Sequence, residues 1–184
     1  HMLHGVTPDM MVLGKAMGNG FPISAVIGKR AIMQAAQDTF ISSTYWTERV
    51  GFTAALEVIR QFEKRKVIDY IVNMGDYLMD GLKNIMKNAD LNINIVGLSS
   101  VPIMVIKEKD PLVVKTVFTQ EMLKKGFLAS NVIYVSSAHT KEIVDKYLNA
   151  AKEVFEEISG AVKSDKLNSL LDGEVCHSGF KRLA

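Results

Sequence analysis

The segment Gly14-Lys15-Ala16-Met17-Gly18-Asn19-Gly20-Phe21-Pro22 follows directly on the apolar run Met10-Met11-Val12-Leu13. A short apolar run closed by glycine reads as a buried strand, so the pattern sets a lysine amine at a strand end and at the mouth of a glycine loop. Gly18 and Gly20 supply backbone angles closed to other residues and Pro22 stiffens the exit, which together let a flat ligand lie against the main chain. A lysine held where water is excluded loses part of its preference for charge, and a neutral amine condenses with an aldehyde to give a Schiff base. The alternative is a solvated surface lysine, the default for a charged amine. The surroundings have to decide between them.

Nucleotide loops do not fit these glycines. A phosphate loop of the nucleotide-hydrolase type needs a glycine five positions before Gly14 and a hydroxyl after the lysine, where Asp9 and Ala16 stand. A dinucleotide fingerprint needs a third glycine three positions after Gly20, where Ile23 stands. With 184 residues, 48% hydrophobic and 23% charged, the chain can bury one large or two small cores. Its net charge of +2, with no basic run interleaved with aromatics, excludes a strong field for nucleic acid or acidic membrane. Cys176 is the only cysteine, so no intramolecular disulfide forms. No charged-then-apolar leader or uninterrupted spanning run is written in these residues, and the expected compartment is the cytoplasm. His1-Met2 reads as residues added in cloning.

Beyond the loop, Ile23 to Ile27 reads as a strand and Lys29 to about Gln37 as a short helix. Three hydroxyls, Ser42, Ser43 and Thr44, then precede a helical pattern that places Val50, Ala54, Ala55, Val58, Ile59 and Phe62 on one face. Hydroxyls and free amides ahead of a helix suit a phosphate; they suit plain helix capping as well. Glu63-Lys64-Arg65-Lys66 reads as a solvated bend between two domains, 1–63 and 64–184. The second domain opens with a helix from Lys66 to Lys87 whose stripe is Ile68, Ile71, Val72, Leu78, Met79, Leu82, Ile85 and Met86. Two strands follow, Ile93 to Ile95 and Val101 to Ile106, joined around Gly97-Leu98-Ser99-Ser100. Asp110 is expected to cap a helix that Pro111 begins and Gly126 ends, with Val113, Val114, Val117, Phe118 and Met122 inward. Phe127 to Ala129 and Val132 to Val135 read as strands, and Thr140 as the cap of a helix reaching Val162 with Ile143, Tyr147, Ala151, Val154, Phe155 and Ile158 in its stripe. That order gives a small α+β domain, with helices on one face of a largely antiparallel sheet.

No other constellation carries chemistry. His139 has no carboxylate or nucleophile spaced beside it and reads as a local hydrogen-bonding residue. Cys176 and His177 are adjacent, which lacks the spacing of a zinc pair, and His4 is too distant to complete one. Ser178 lacks the elbow glycines of a hydrolase.

The run from Thr7-Pro8-Asp9 through Lys15 and on through Gly20-Phe21-Pro22-Ile23-Ser24-Ala25-Val26-Ile27-Gly28 resembles the lysine region of class III aminotransferases, pyridoxal-phosphate-dependent enzymes of fold type I. Within that family it is similar to the glutamate-1-semialdehyde aminomutase branch, through Gly28-Lys29-Arg30-Ala31-Ile32-Met33 and the tail His177-Ser178-Gly179-Phe180. The resemblance implies an α/β fold: the end of a large cofactor-binding domain over 1–63, then a small C-terminal α+β domain. It implies that Lys15 tethers pyridoxal phosphate as a Schiff base and moves a proton between a small-molecule amino donor and the cofactor, with a carbonyl compound as acceptor. Thr44, with Ser43 beside it, matches the position that holds the cofactor phosphate of the neighbouring subunit, which implies a homodimer. The family continues from that threonine through a small residue to Asn-Pro; Trp46, Thr47, Glu48 and Arg49 stand here and reshape the substrate entrance. Asn131 occupies the place of an aminomutase glutamate, which weighs for transamination over the mutase reaction. Only fourteen residues precede Lys15, so the aspartate that pairs with the ring nitrogen and the glycine-serine loop that grips the phosphate are not in this chain. The expectation is a C-terminal part of a longer enzyme with little activity alone, or else a non-catalytic association module or half of a split enzyme.

Overall fold

Met10–Leu13 forms strand β1 and pairs antiparallel with β2, Ala25–Gly28, so that Met10 faces Gly28 and Leu13 faces Ala25. The computed structural model describes residues 1–45 and 47–179, in two compact units, His1–Val67 and a second from Ile68 onward. Trp46 and Phe180, both named above, lie outside the described residues. In the first unit the open end of the hairpin is closed twice over: the Lys29 amide donates to the Asp9 carbonyl at 2.9 Å, and the Lys29 ammonium donates to the Asp9 carboxylate at 2.6 Å. The expected burial of β1 is not found, since Val12 is 68% exposed. Two strands satisfy each other's amides, but a sheet face is covered only by a second layer, and among the described residues the first unit lays none over Val12. The expected helix from Lys29 is divided into α1, Arg30–Met33, and a 3-10 turn over Gln34–Asp38.

Helix α2, Val50–Lys64, buries Gly51 and Ala55 and half-buries Ala54, Val58 and Phe62. Val50 and Ile59, expected on that face, are exposed. Ile59 belongs instead to a second apolar stripe with Phe52 and Leu56, one residue per helical turn, exposed by 53, 59 and 65% respectively. Lys66, at φ 47°, turns the chain after α2.

The buried apolar cluster of the protein lies in the second unit. Helix α3, Val67–Ala89, delivers Leu78, Leu82 and Met86 to it, with Ile71 and Ile85 half-buried against it; Ile68 and Val72, expected in the same stripe, are exposed. Strands β3, Ile93–Leu98, and β4, Val101–Ile106, pair antiparallel with Ile93 opposite Ile106 and Leu98 opposite Val101. Residues 131–135 run along the other edge of β4 through Met104 N to Asn131 O (2.8 Å), Ile133 N to Pro102 O (2.9 Å) and Val135 N to Ser100 O (3.1 Å). The two strands expected at 127–135 thus reduce to one bridge, Ile103 with Val132. The backbone bonds locally at its start, Ala129 N to Phe127 O at 2.9 Å, instead of extending a ladder.

Helix α4, Pro111–Lys124, starts on its proline, and Asp110 makes no side-chain capping bond, contrary to expectation. A helix start has amides without partners, and a proline there removes one of them. The helix ends at Gly126, φ 87°, where Gly126 N reaches Leu123 O and Phe127 N reaches Met122 O, both at 2.9 Å, a left-handed glycine stop. Helix α5, Lys141–Lys163, is capped as expected, with the Thr140 hydroxyl accepting from Ile143 N. Val113, Val114, Val117, Phe118 and Met122 of α4 meet Ala151, Val154, Phe155 and Ile158 of α5, and Phe118 stacks on Phe155 at 4.7 Å and 16°. Ile143 is exposed instead of joining them. Each fully buried large side chain contributes about 1.5–3 kcal/mol, which is why these helices are fixed where the first unit, poor in such positions, depends on its turns.

Candidate active site

Strand β1 delivers an extended Gly14, and the next residue, Lys15, opens a 3-10 turn over Lys15–Met17 with φ at +50°. A left-handed lysine costs about 1–3 kcal/mol and persists only where the surroundings over-determine it. Here Met17 N bonds Gly14 O (3.1 Å), while Gly18 N and Asn19 N both bond Lys15 O (3.1 and 3.2 Å). Asn19 and Gly20 follow with φ of 46° and 105°, and Phe21 N returns to Gly18 O at 3.2 Å. Positive φ at both central residues of an Asn-Gly pair is the signature of a tight type I′ turn. Gly18 is buried beneath it; a β-carbon there would lie 2.2 Å from the Phe21 carbonyl oxygen and 2.7 Å from Ile23 Cγ2. Lys15 is exposed, and its side chain enters no ion pair among the described residues.

The exit of the loop rests on α2. A β-carbon on Gly51 would be 3.1 Å from the Pro22 carbonyl and 3.2 Å from Ile23 Cβ, so backbone meets backbone there. Beside this contact, Phe21 and the α2 residues Val50, Thr53, Ala54 and Glu57, with Arg49, line an open concavity of about 330 Å³. Lys15 does not line it.

Ser42, Ser43 and Thr44 are exposed, and among the described residues none of them bonds to Lys15 or caps α2. Ser43 Oγ accepts from Tyr45 N at 3.3 Å in a local turn. The first-turn amides of α2 are met by a residue that the sequence reading passed over. The Glu48 carboxylate accepts from Val50 N at 2.6 Å and Gly51 N at 3.0 Å. These bonds, that from Gly51 foremost, hold its carboxyl below the usual glutamate range. The available signal was an acidic residue just ahead of an apolar-periodic run. The helix start thus carries its own anion, and the hydroxyls ahead of it are neither its caps nor bonded to Lys15.

Elsewhere, His139 Nδ1 accepts from Ser136 N at 3.3 Å, a local role, and Cys176 N donates to Thr116 Oγ1 at 2.9 Å. Among the described residues no group of three or more His, Cys, Asp or Glu is placed to hold a metal, and no helix is long and apolar enough to cross a membrane.

The profile of the class III aminotransferases matches residues 1–158. Among similar proteins, 3-aminobutyryl-CoA aminotransferase of Cloacimonas acidaminovorans is 27% identical over 164 residues, covering 85% of this chain and 39% of the relative. Glutamate-1-semialdehyde 2,1-aminomutase of Thermodesulfovibrio yellowstonii is 27% identical over 172 residues, covering 84% and 40%. Among solved structures, FumI of Sphingopyxis sp. MTA144, in its pyridoxal phosphate internal aldimine form, superposes with a TM-score of 0.79 at 25% identity over 92% of this chain and 42% of that one. A transaminase with pyridoxal phosphate bound shares the fold at a TM-score of 0.82 over 88% of this chain and 41% of that one. The chain therefore spans about two fifths of the length of the relatives it matches. By its fold and by the match over most of its residues, this chain belongs to the class III aminotransferases, a family of enzymes that includes aminomutases.

Proposed function

We propose that this chain is the C-terminal part of a pyridoxal-phosphate-dependent aminotransferase, and that Lys15 is the residue which carries the cofactor. The observation that supports this most directly is the left-handed, exposed Lys15 at the head of a glycine loop. The residues present fit the group in part. An amine free of ion pairing is accessible, and the Asn19-Gly20 turn leaves open space where a side chain at Gly20 would stand. When bound, pyridoxal phosphate supplies an aldehyde for an amine to join and an electron-withdrawing ring that stabilises negative charge on the donor carbon. Lys15 holds the cofactor in the resting protein and, once released by an amino donor, moves the proton at the donor carbon. Ser43 and Thr44, whose side chains are not spent on α2, offer hydroxyls to a phosphate, in a homodimer that of the neighbouring subunit. Residues 1–63 act as the end of the cofactor domain and 64–184 as the small domain, in a cytoplasmic enzyme whose substrates are a small amino donor and a carbonyl acceptor. Transamination is the favoured reaction over the mutase one, since Asn131 stands where a carboxylate would serve the latter. The chain alone has little activity, a reading supported by its spanning only about two fifths of the length of the relatives it matches.

The test is direct. Pyridoxal phosphate added to the chain and fixed with borohydride should leave a covalent adduct on the peptide containing Lys15, and Lys15→Ala should abolish it. An adduct spread evenly over surface lysines would overturn the assignment. A second reading, an association module without catalysis, is favoured by the exposed Phe52, Leu56 and Ile59 stripe. It calls for concentration-dependent self-association with no selective adduct at Lys15.

A further inference from the structure

We propose that Glu48 is a positioning residue for the Lys15 loop, an inference that takes its functional meaning from the reading of Lys15 above. Arg49, which flanks the start of helix α2, makes no side-chain capping bond. Without another partner the first amides of the helix would have only water. Glu48 meets two of them at once, Val50 N and Gly51 N, and its own amide donates to Tyr45 O at 3.2 Å, which anchors the carboxylate to the turn at Thr44-Tyr45. Of these two, Gly51 is the residue pressed against the loop exit.

Ile23 completes the connection. Its Cβ is 3.2 Å from the site of a β-carbon on Gly51, and its Cγ2 is 2.7 Å from the site of one on Gly18. The isoleucine is therefore wedged between two glycines, one on the capped turn of α2 and one in the Lys15 loop. Gly18 in turn donates its amide to Lys15 O. Hydrogen bonds and close packing thus connect the Glu48 carboxylate through Gly51, Ile23 and Gly18 to the backbone of Lys15, each glycine leaving little room for a side chain against Ile23. A strained φ survives only while its neighbours hold it, and the neighbour furthest along this path is held by Glu48. Freeing the first turn of α2 removes the backing of Ile23 and lets Lys15 relax toward an ordinary conformation. Gln at 48 keeps an oxygen that can accept one of the two bonds; alanine keeps none.

Hydrogen exchange of the whole chain, without cofactor, tests this. Glu48→Ala should speed exchange about fivefold over residues 15–23 as well as 49–53, the size of effect that loss of a helix cap produces, while peptides in 91–107 stay unchanged. Glu48→Gln should fall between Glu48→Ala and the parent. Ile23→Ala cuts the path without touching the cap, so it should loosen 15–20 and leave Val50 and Gly51 protected. Borohydride-fixed adduct on Lys15 should fall in the same order. Faster exchange at 49–53 with 15–23 unmoved in Glu48→Ala overturns the proposal. An adduct that persists in Lys15→Ala overturns the reading of Lys15 and leaves the exchange result standing.

Discussion

Gly75 of α3 lies so close to the β3–β4 turn that a β-carbon on it would be 1.8 Å from the Ser99 carbonyl oxygen. The next residue, Asp76, accepts from Ser99 Oγ at 2.6 Å, so helix and hairpin are keyed together by a missing side chain and a hydrogen bond. Gly75→Ala should destabilise the second unit by about 1–3 kcal/mol, because the atom it meets is backbone and cannot rotate away. Gly81→Ala is the control: a β-carbon there meets the tip of Leu148 at 2.5 Å, which can change rotamer. Urea unfolding should rank Gly75→Ala as clearly the more damaging of the two.

The stacked pair Phe118 and Phe155 joins α4 to α5 at the centre of the core, both rings almost wholly buried. Phe118→Ala should cost about 3–5 kcal/mol through lost burial and the cavity left behind. A double-mutant cycle with Phe155→Ala should show coupling of about 0.5–1.5 kcal/mol beyond burial. Additive losses in urea unfolding would mean that the stacking geometry contributes nothing of its own.

On the outer side of α5, Tyr77 donates to Asp145 Oδ1 at 2.5 Å, and the Lys141 ammonium donates to Tyr77 Oη at 2.9 Å and to Asp145 Oδ2 at 2.7 Å. The bond from Lys141 first, and that from Tyr77 second, hold the Asp145 carboxyl below the usual aspartate range; Lys141 is raised by its bond to Asp145 first and its bond to Tyr77 second. A depressed carboxyl contributes in full above its unfolded value and loses that contribution as pH falls through the folded one. A raised lysine contributes in full below its unfolded value and loses it as pH rises through the folded one. The clasp should therefore hold through the neutral range and open at either extreme. A carboxyl-carbon NMR titration should place the Asp145 midpoint below the ordinary aspartate value, and Lys141→Met should move it back up.

Where the sequence was informative, the signal was local or strongly periodic. In the Lys15 loop Gly20 takes the positive φ its position calls for, 105°, whereas Gly18, expected to do the same, sits at an ordinary −94° and matters for close packing, and the positive φ of Lys15 and Asn19 lies outside that expectation. The α4 stripe Val113, Val114, Val117, Phe118 and Met122 is buried as its period demands, because a helix face is fixed by its own pitch. Burial of β1 was not legible: an apolar run shows that a strand can be covered, whereas Val12 is covered only if another layer is supplied. Phe127–Ala129 has strand-like residues, but its backbone closes on itself through Ala129 N to Phe127 O, and residue type alone does not tell a strand from such a turn. Glu48 is not legible from hydroxyl spacing ahead of α2, because it is a longer side chain one residue before Arg49 that reaches forward to those amides.

Gly18→Ala and Gly20→Ala should both impair the Lys15 loop, for opposite reasons that experiment can separate. At Gly18 φ is −94°, acceptable to alanine, but the added carbon would strike the Phe21 carbonyl and Ile23. At Gly20 nothing stands within 4 Å, yet φ is 105°, where an L-residue is strained. Each change should cost about 1–3 kcal/mol locally and lower the borohydride-fixed adduct at Lys15. D-Alanine at position 20, placed by ligation, should restore the adduct, since it favours positive φ. Gly18→Ala should in addition push Ile23 against Gly51 and speed exchange at the first turn of α2, an effect Gly20→Ala lacks. Equal exchange at 49–53 in both variants would show that the loop and α2 move independently, and that the contact through Ile23 transmits nothing.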